Sequence, residues 1–300
     1  MDSTKDTPWL ARRITSSALL DLGAAASKGL TRIWVSVPAA GSPAGLIFAG
    51  RSINDTAFTD LSLMLASATD HYHAMARLMR MEDQFGPAIA TLTRGFIEAS
   101  GRGWWLLEAV RSPDRFAHRA AALTLSEVGN VVRHGGPLER HFNDGTRLTM
   151  TTTDFEASAR EGFDSVNMGE SAKVPGYTAL AQLVLNAARI PEPGALYSHL
   201  SGVAHGEGTS VGGLGGSGRL GLPIRNFNVY LSAITHVLDL VVAEVAEVWG
   251  ATQELERWSQ TRERVWNTLA AIDTSLLDSA TSEVRIGTLA GGSIQLSFTD

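Results

Sequence analysis

Apolar residues recur at helical spacing along most of the chain, and this pattern predicts a mainly α-helical protein. Helix start and stop signals, such as the SPD before residue 115 and the HGGP after residue 133, set the ends of several segments. We expect a single helical domain over residues 1–300, built as a helical bundle with small β-hairpin appendages near the N-terminus and at the C-terminus. The predicted helices cover residues 9–29, 54–81, 83–110, 112–132, 177–190, 195–205, 225–249 and 252–271.

The remaining segments have the character of strands or loops. TRIWVSVPA (31–39) and AGLIFAG (44–50) flank a GSP turn, which predicts a hairpin insertion over 31–50. Two alternating runs around a GG pair predict a C-terminal hairpin over 283–299. The Thr-rich stretch 145–154 indicates a strand or an extended loop. Residues 206–222 are glycine-rich and are expected to form a loop.

Composition narrows the classes of function. A net charge of −6 argues against broad electrostatic binding of duplex nucleic acid, although a local basic groove remains compatible with it. The absence of cysteine excludes disulfides, thiol catalysis and thiolate metal sites. The N-terminal segment has no apolar core typical of a signal peptide, and residues 229–250 carry too many polar groups for a comfortable membrane span. We therefore expect a cytoplasmic protein with no membrane association.

The helix predicted around residue 94 is apolar on most of its sides. Arg94, Glu98 and Trp105 fall within about 80° of one another on its helical wheel. Arg94 and Glu98 stand four residues apart, so one interpretation is an intrahelical ion pair supporting a core. The other is a polar wall of a pocket, in which Arg94 binds an anion and Glu98 orients it or acts as a base. Arg102 and Trp105 are further candidates for substrate binding.

The segment YSHLSGVAHG (197–206) places a second set of polar side chains on one face of a helix. Tyr197, Ser201 and His205 follow one another at intervals of four, while His199 points to a different side. These three could form a hydrogen-bonded relay with His205 as proton carrier. Alternatively, His205 is only a C-terminal capping histidine, favoured there by the helix dipole. On the first interpretation, Tyr197, Ser201 and His205 face Arg94 and Glu98 across a pocket that the glycine-rich loop covers.

Cofactor and metal motifs are weak or missing. Gly213, Gly215 and Gly218 match the spacing of a dinucleotide fingerprint, but a helix and not a strand precedes them. The two predicted histidine positions at 199 and 205 point apart, and no Glu-x-x-His pair occurs. We expect no cofactor and no metal site at this cluster, leaving dispersed ligands for non-haem iron as an alternative.

The two segments RGFIEASGRGWWLLE and LYSHLSGVAHGEG together resemble a group of uncharacterised, largely actinobacterial helical proteins, over residues 94–206. They are also distantly similar to HEPN-like families, some of whose members are metal-independent ribonucleases. The signature of those ribonucleases is an arginine followed four to six residues later by a histidine on one helix. Here Arg111 and Arg115 stand at the wrong spacing from His118. Arg94 and His205 would have to replace that pair in space.

These observations predict an acid–base enzyme acting on a small or phosphate-bearing substrate, with HEPN-like cleavage of RNA as one version. His205, Glu98, Tyr197 and Ser201 are the catalytic candidates. Two alternatives stay open: a non-catalytic binding or regulatory module, and a non-haem metal oxygenase. The apolar face of residues 229–250 also predicts a homo-oligomer.

Overall fold

The computed structural model is a bundle of α-helices, as the apolar pattern predicts. The described residues are 9–49, 53–81, 85–134, 138–141, 147–165, 173–216, 219–270, 285–288 and 294–297. The helices are α1 (Trp9–Trp34), α2 (Pro43–Phe48), α3 (Ile53–Met79), α4 (Gly86–Leu107), α5 (Pro113–His134), α6 (Thr152–Ser165), α7 (Tyr177–Ala187), α8 (Pro193–Ala204), α9 (Gly208–Gly212), α10 (Ile224–Trp249) and α11 (Thr252–Ala270).

The described strands form three antiparallel pairs. They are β1 (Leu138–His141) with β2 (Arg147–Met150), β3 (Gly215–Gly216) with β4 (Arg219–Leu220), and β5 (Arg285–Thr288) with β6 (Ile294–Ser297). The last pair lies inside the stretch for which the sequence predicts a C-terminal hairpin. The other residues of 283–299 lie outside the described part, so the hairpin as a whole stays a prediction.

Helix α4 is the centre of the bundle, because it packs against α3, α7, α8 and α10. Thirteen of its residues are buried, and they include both tryptophans, Trp104 and Trp105. Its glycines let two neighbours come close. A Cβ atom at Gly101 would lie 2.6 Å from the backbone oxygen of Leu180 on α7, and one at Gly103 would lie 2.8 Å from the side chain of Leu65 on α3. The glycines of this helix therefore serve helix packing.

The predicted hairpin over residues 31–50 is wrong, because α1 continues to Trp34 and α2 follows it. Ser42 and Pro43 do not form a hairpin turn. They start a helix, in which the Ser42 hydroxyl accepts a hydrogen bond from the backbone N–H of Gly45 at 3.1 Å. The connecting backbone pairs with the end of α10, where the N–H of Ala39 donates to the carbonyl of Trp249. Tertiary packing thus overrides the β propensity of this stretch.

Two further segments contain more regular structure than the sequence predicted. Residues 206–222 do not form a simple loop, because they contain the short helix α9 and the strands β3 and β4. The Thr-rich stretch forms β2, as predicted, and then enters helix α6, which the sequence did not predict. Thr151 starts that helix, since its hydroxyl accepts the N–H of Asp154 at 3.1 Å and donates to the Asp154 carboxylate at 2.6 Å.

Helix α10 lies in the interior and packs against α1, α2, α4, α7 and α11. By length and composition it is the one helix of the described part that could cross a membrane, although 56% of its most apolar window is buried inside the protein. A buried core helix meets the same criterion, so this is weak evidence. Because the apolar side of α10 is covered within the chain, it gives no argument for a homo-oligomer, which stays a prediction.

Candidate functional site

The candidate site lies where α8 packs against α4. Between α7 and α8, two residues adopt the left-handed backbone conformation that residues other than glycine rarely take. They are Arg189, with φ 57°, and Glu192, with φ 47°. Pro193 then occupies the first turn of α8, where it has no N–H to leave unpaired. The sharp connection from α7 turns α8 back towards α4. It brings the polar stripe of α8 to the polar stripe of α4.

An ion pair forms the base of this cluster. The Nε of Arg94 donates to Oε1 of Glu98 at 2.7 Å, and 20% of the surface of each side chain is exposed to solvent. Burial lowers the pKa of Arg94, but the hydrogen bond and the charge of Glu98 raise it by more, so the pKa lies above its ordinary value. The guanidinium group is therefore held in its charged form, in one orientation, near the surface.

Tyr197 completes the hydrogen bonding of the carboxylate. Its hydroxyl donates to the same Oε1 atom of Glu98 at 2.6 Å, and its ring lies 6.0 Å from the guanidinium carbon of Arg94. Burial raises the pKa of Tyr197, and the hydrogen bond and charge of Glu98 raise it further against the opposing effect of Arg94. The phenol therefore keeps its proton at neutral pH and donates it in a hydrogen bond that fixes Glu98 in place.

His205 approaches the same guanidinium from the other side. Its Nε2 atom lies 3.2 Å from NH1 of Arg94. Because a guanidinium can only donate, Nε2 is the acceptor in this contact, which requires the tautomer that carries its proton on Nδ1. His205 is the C-cap residue of α8, as the simpler interpretation of the sequence predicted, and its side chain is exposed. The structure thus joins Arg94, Glu98, Tyr197 and His205 in one network that is open to solvent at His205.

Three of the predicted site residues lie outside this network. Ser201 is half-buried on α8, and its hydroxyl makes no hydrogen bond within the described part of the chain. Arg102 lies two turns further along α4, where its NH2 donates to Glu127 of α5 at 3.0 Å. Trp105 is 8% exposed, under the guanidinium group of Arg119. The geometry therefore does not support Arg102 and Trp105 as substrate-binding residues of this cluster.

Sequence reasoning missed a second polar group on the opposite side of α8. His199 points away from His205, as predicted, and its Nε2 lies 2.8 Å from the hydroxyl of Tyr230 and 3.2 Å from Nδ2 of Asn226. Burial lowers the pKa of His199 and raises that of Tyr230. The imidazole is therefore a neutral acceptor that ties α8 to α10. The spacing of Asn226 and Tyr230, four residues apart on one helix, was the available signal.

Two glycines bring further groups close to the cluster. The ring of His71 on α3 lies so near Gly95, the residue after Arg94, that a Cβ atom there would be 2.8 Å from it. On α8, the space above Gly202 holds the Glu207 carboxylate, 2.6 Å from an ideal Cβ position, and the Ser210 hydroxyl. The start of the glycine-rich segment therefore folds back onto α8.

Metal ligands do not gather here. Among the described residues, no group of three or more His, Asp or Glu side chains has the arrangement of a metal site. In comparisons with known proteins, no family model, curated protein or solved structure matched the chain. The resemblance to HEPN-like families therefore stays a prediction.

Proposed function

We propose that this protein is an acid–base enzyme that acts on a small or phosphate-bearing substrate at the Arg94–His205 contact. One observation carries the proposal. A guanidinium group fixed by a carboxylate also donates to the free lone pair of an exposed imidazole at 3.2 Å. An anion binder and a proton carrier are thus adjacent at the surface, within reach of one bound molecule.

Arg94 is the anion-binding group. Its Nε is engaged by Glu98, which leaves the NH1 and NH2 side of the planar group for an incoming oxyanion. A phosphate group on that side competes with His205 for NH1. Binding of the anion thereby frees the Nε2 lone pair, which then lies beside the bound substrate.

His205 is the proton carrier. A neutral imidazole with a free Nε2 accepts a proton from a nucleophilic hydroxyl or water next to the bound anion, and it returns the proton to a leaving group. Glu98 and Tyr197 do not touch the substrate in this scheme. They hold Arg94 in position, since Glu98 accepts from both Arg94 and Tyr197 through one oxygen. HEPN-like cleavage of RNA is one version of this chemistry.

A binding or regulatory module is the second candidate. It is favoured by the completeness of the network, since Glu98, Tyr197 and Arg94 all have hydrogen-bond partners within the protein. In such a module the same cluster serves to join α4 to α8. A metal oxygenase receives no such support from the described residues.

Turnover separates the two candidates. We expect the wild-type protein to hydrolyse chromogenic phosphate esters or to cleave a fluorescently labelled single-stranded RNA. His205→Gln should lower the rate by about 100-fold or more, because general acid–base catalysis by one group contributes on that order. The melting temperature should change by less than about 2 °C, since the side chain is exposed.

The control is His199→Gln, on the other side of the same helix. Assayed below its melting temperature, this variant should keep turnover near the wild-type rate. No turnover by the wild-type protein on any of these substrates, or equal turnover by His205→Gln, would favour the binding module.

A further inference from the structure

A groove separate from the Arg94 cluster runs between α1 and α11. Arg32 at the end of α1 pairs with Glu254 at the start of α11 at 2.7 Å, and Leu10 near the start of α1 lines a cavity together with Thr268 near the end of α11, so the two helices are antiparallel. Two cavities of about 380 and 420 Å³ lie along them, and both are lined by Asp21 and Arg264. The cavities therefore adjoin and form one elongated groove of the size of small-molecule sites.

The floor of the groove is apolar and includes small residues. Gly29 of α1 is buried, yet a Cβ atom there would meet no described atom within 4 Å, so it faces open space. Trp258 of α11 lines the opposite side. The second cavity continues this surface with the apolar side chains of Leu10, Ile14, Ala18 and Val265.

The rim of the groove is basic, although the chain as a whole carries a charge of −6. Its five basic residues, set against the acidic Asp21 and Glu254, are Arg13, Lys28, Arg32, Arg257 and Arg264. Glu254 is engaged by both Arg32 and Arg257. The side chains of Lys28 and Arg264 are exposed and make no ion pair or hydrogen bond with any described residue. These two cations are available to a ligand.

We propose that the α1–α11 groove binds an amphiphilic anion, with its phosphate or carboxylate head at Lys28 and Arg264 and its unbranched apolar chain along the floor. The basic rim selects the charge of the head. The apolar floor excludes a plain inorganic anion as the best ligand, because burying a hydrocarbon chain there adds to the binding free energy. The lining comes from α1, α10 and α11, so the inference does not depend on the Arg94 cluster.

Isothermal titration calorimetry of the full chain with decyl phosphate, kept below its micelle concentration, tests the proposal. Saturable binding is expected at one molecule per groove. Inorganic phosphate should bind more weakly by a factor of about ten or more, because it lacks the hydrocarbon chain. Decyltrimethylammonium should not bind. Equal binding of phosphate and decyl phosphate would overturn the apolar part of the proposal. Binding of the cationic amphiphile, or no binding of decyl phosphate, would overturn the whole.

Two variants locate the binding. Gly29→Leu fills the open space above the floor and should weaken decyl phosphate about tenfold without lowering the melting temperature, since leucine is the better helix former. The double variant Lys28→Glu, Arg264→Glu should weaken it by a similar factor. The matched controls are Gly176→Leu, at a glycine that also has open space, and Arg225→Glu, at an exposed arginine of α10. Both controls should bind as the wild type does, and an equal loss in them would place the ligand elsewhere.

Discussion

Replacing Glu98 by alanine will lower the free energy of unfolding by about 2 to 3 kcal/mol, because two partners lose their acceptor at once. Arg94 keeps its charge with only 20% of its side chain exposed, and the hydroxyl of the buried Tyr197 is left without the oxygen it donates to. Urea unfolding followed by circular dichroism measures the loss. The dependence of the free energy on urea concentration should not change, since the same surface is exposed on unfolding.

The pair between Arg102 of α4 and Glu127 of α5 supplies a matched control. Its side chains are 24% and 43% exposed, and no tyrosine shares the carboxylate in the described part. Glu127→Ala should therefore cost less than about 1 kcal/mol, as is usual for exposed ion pairs. Similar losses for Glu98→Ala and Glu127→Ala would mean that the Arg94 cluster is an ordinary surface ion pair.

Gly101→Ala should destabilise the protein by about 2 to 4 kcal/mol, even though alanine favours a helix over glycine by about 1 kcal/mol. The added methyl group would lie 2.6 Å from the carbonyl oxygen of Leu180 and 2.8 Å from its carbonyl carbon. The backbone of Leu180 cannot rotate away as a side chain can, so the added methyl group would force α4 and α7 apart. Thermal unfolding and urea unfolding of the purified variant measure the effect.

Gly103→Ala is the comparison for this substitution. Its nearest neighbour is the end of the Leu65 side chain, at 2.8 Å, which can rotate away. We expect a change of less than about 1 kcal/mol in either direction, because the gain in helix propensity offsets the crowding. If Gly101→Ala is as stable as Gly103→Ala, the close packing of α4 on α7 is contradicted.

Relations between side chains on the same helix were predicted correctly from the sequence. The spacing of Arg94 and Glu98 gave their ion pair, and the spacing of Tyr197 and His205 gave their common face. These relations follow from helix geometry alone. The contact between the two helices depends on the turn before α8 and on tertiary packing. It could be proposed from the sequence only because both stripes were polar on otherwise apolar helices.

The predictions that the structure does not support depend on packing between helices. Arg102 and Trp105 share a helix with Arg94, but Arg102 pairs with Glu127 of α5 and Trp105 lies under Arg119, whereas Arg94 meets His205 of α8. The hairpin over 31–50 followed from local β propensity, whereas in the structure this segment holds the end of α1 and all of α2, and Trp34 packs against Trp249, with ring centres 5.0 Å apart. Helix α6 begins at a threonine cap within a stretch whose composition favours strands.

A phosphate titration followed by NMR through the imidazole signals of His205 shows directly whether the Arg94–His205 contact binds an anion. We expect a saturable change in the wild-type protein, because phosphate displaces NH1 of Arg94 from Nε2 of His205. Arg94→Met should abolish this change, and Arg102→Met should preserve it. If the His205 signals do not respond to phosphate, or respond equally when Arg94 is methionine, the Arg94–His205 contact is not an anion-binding site.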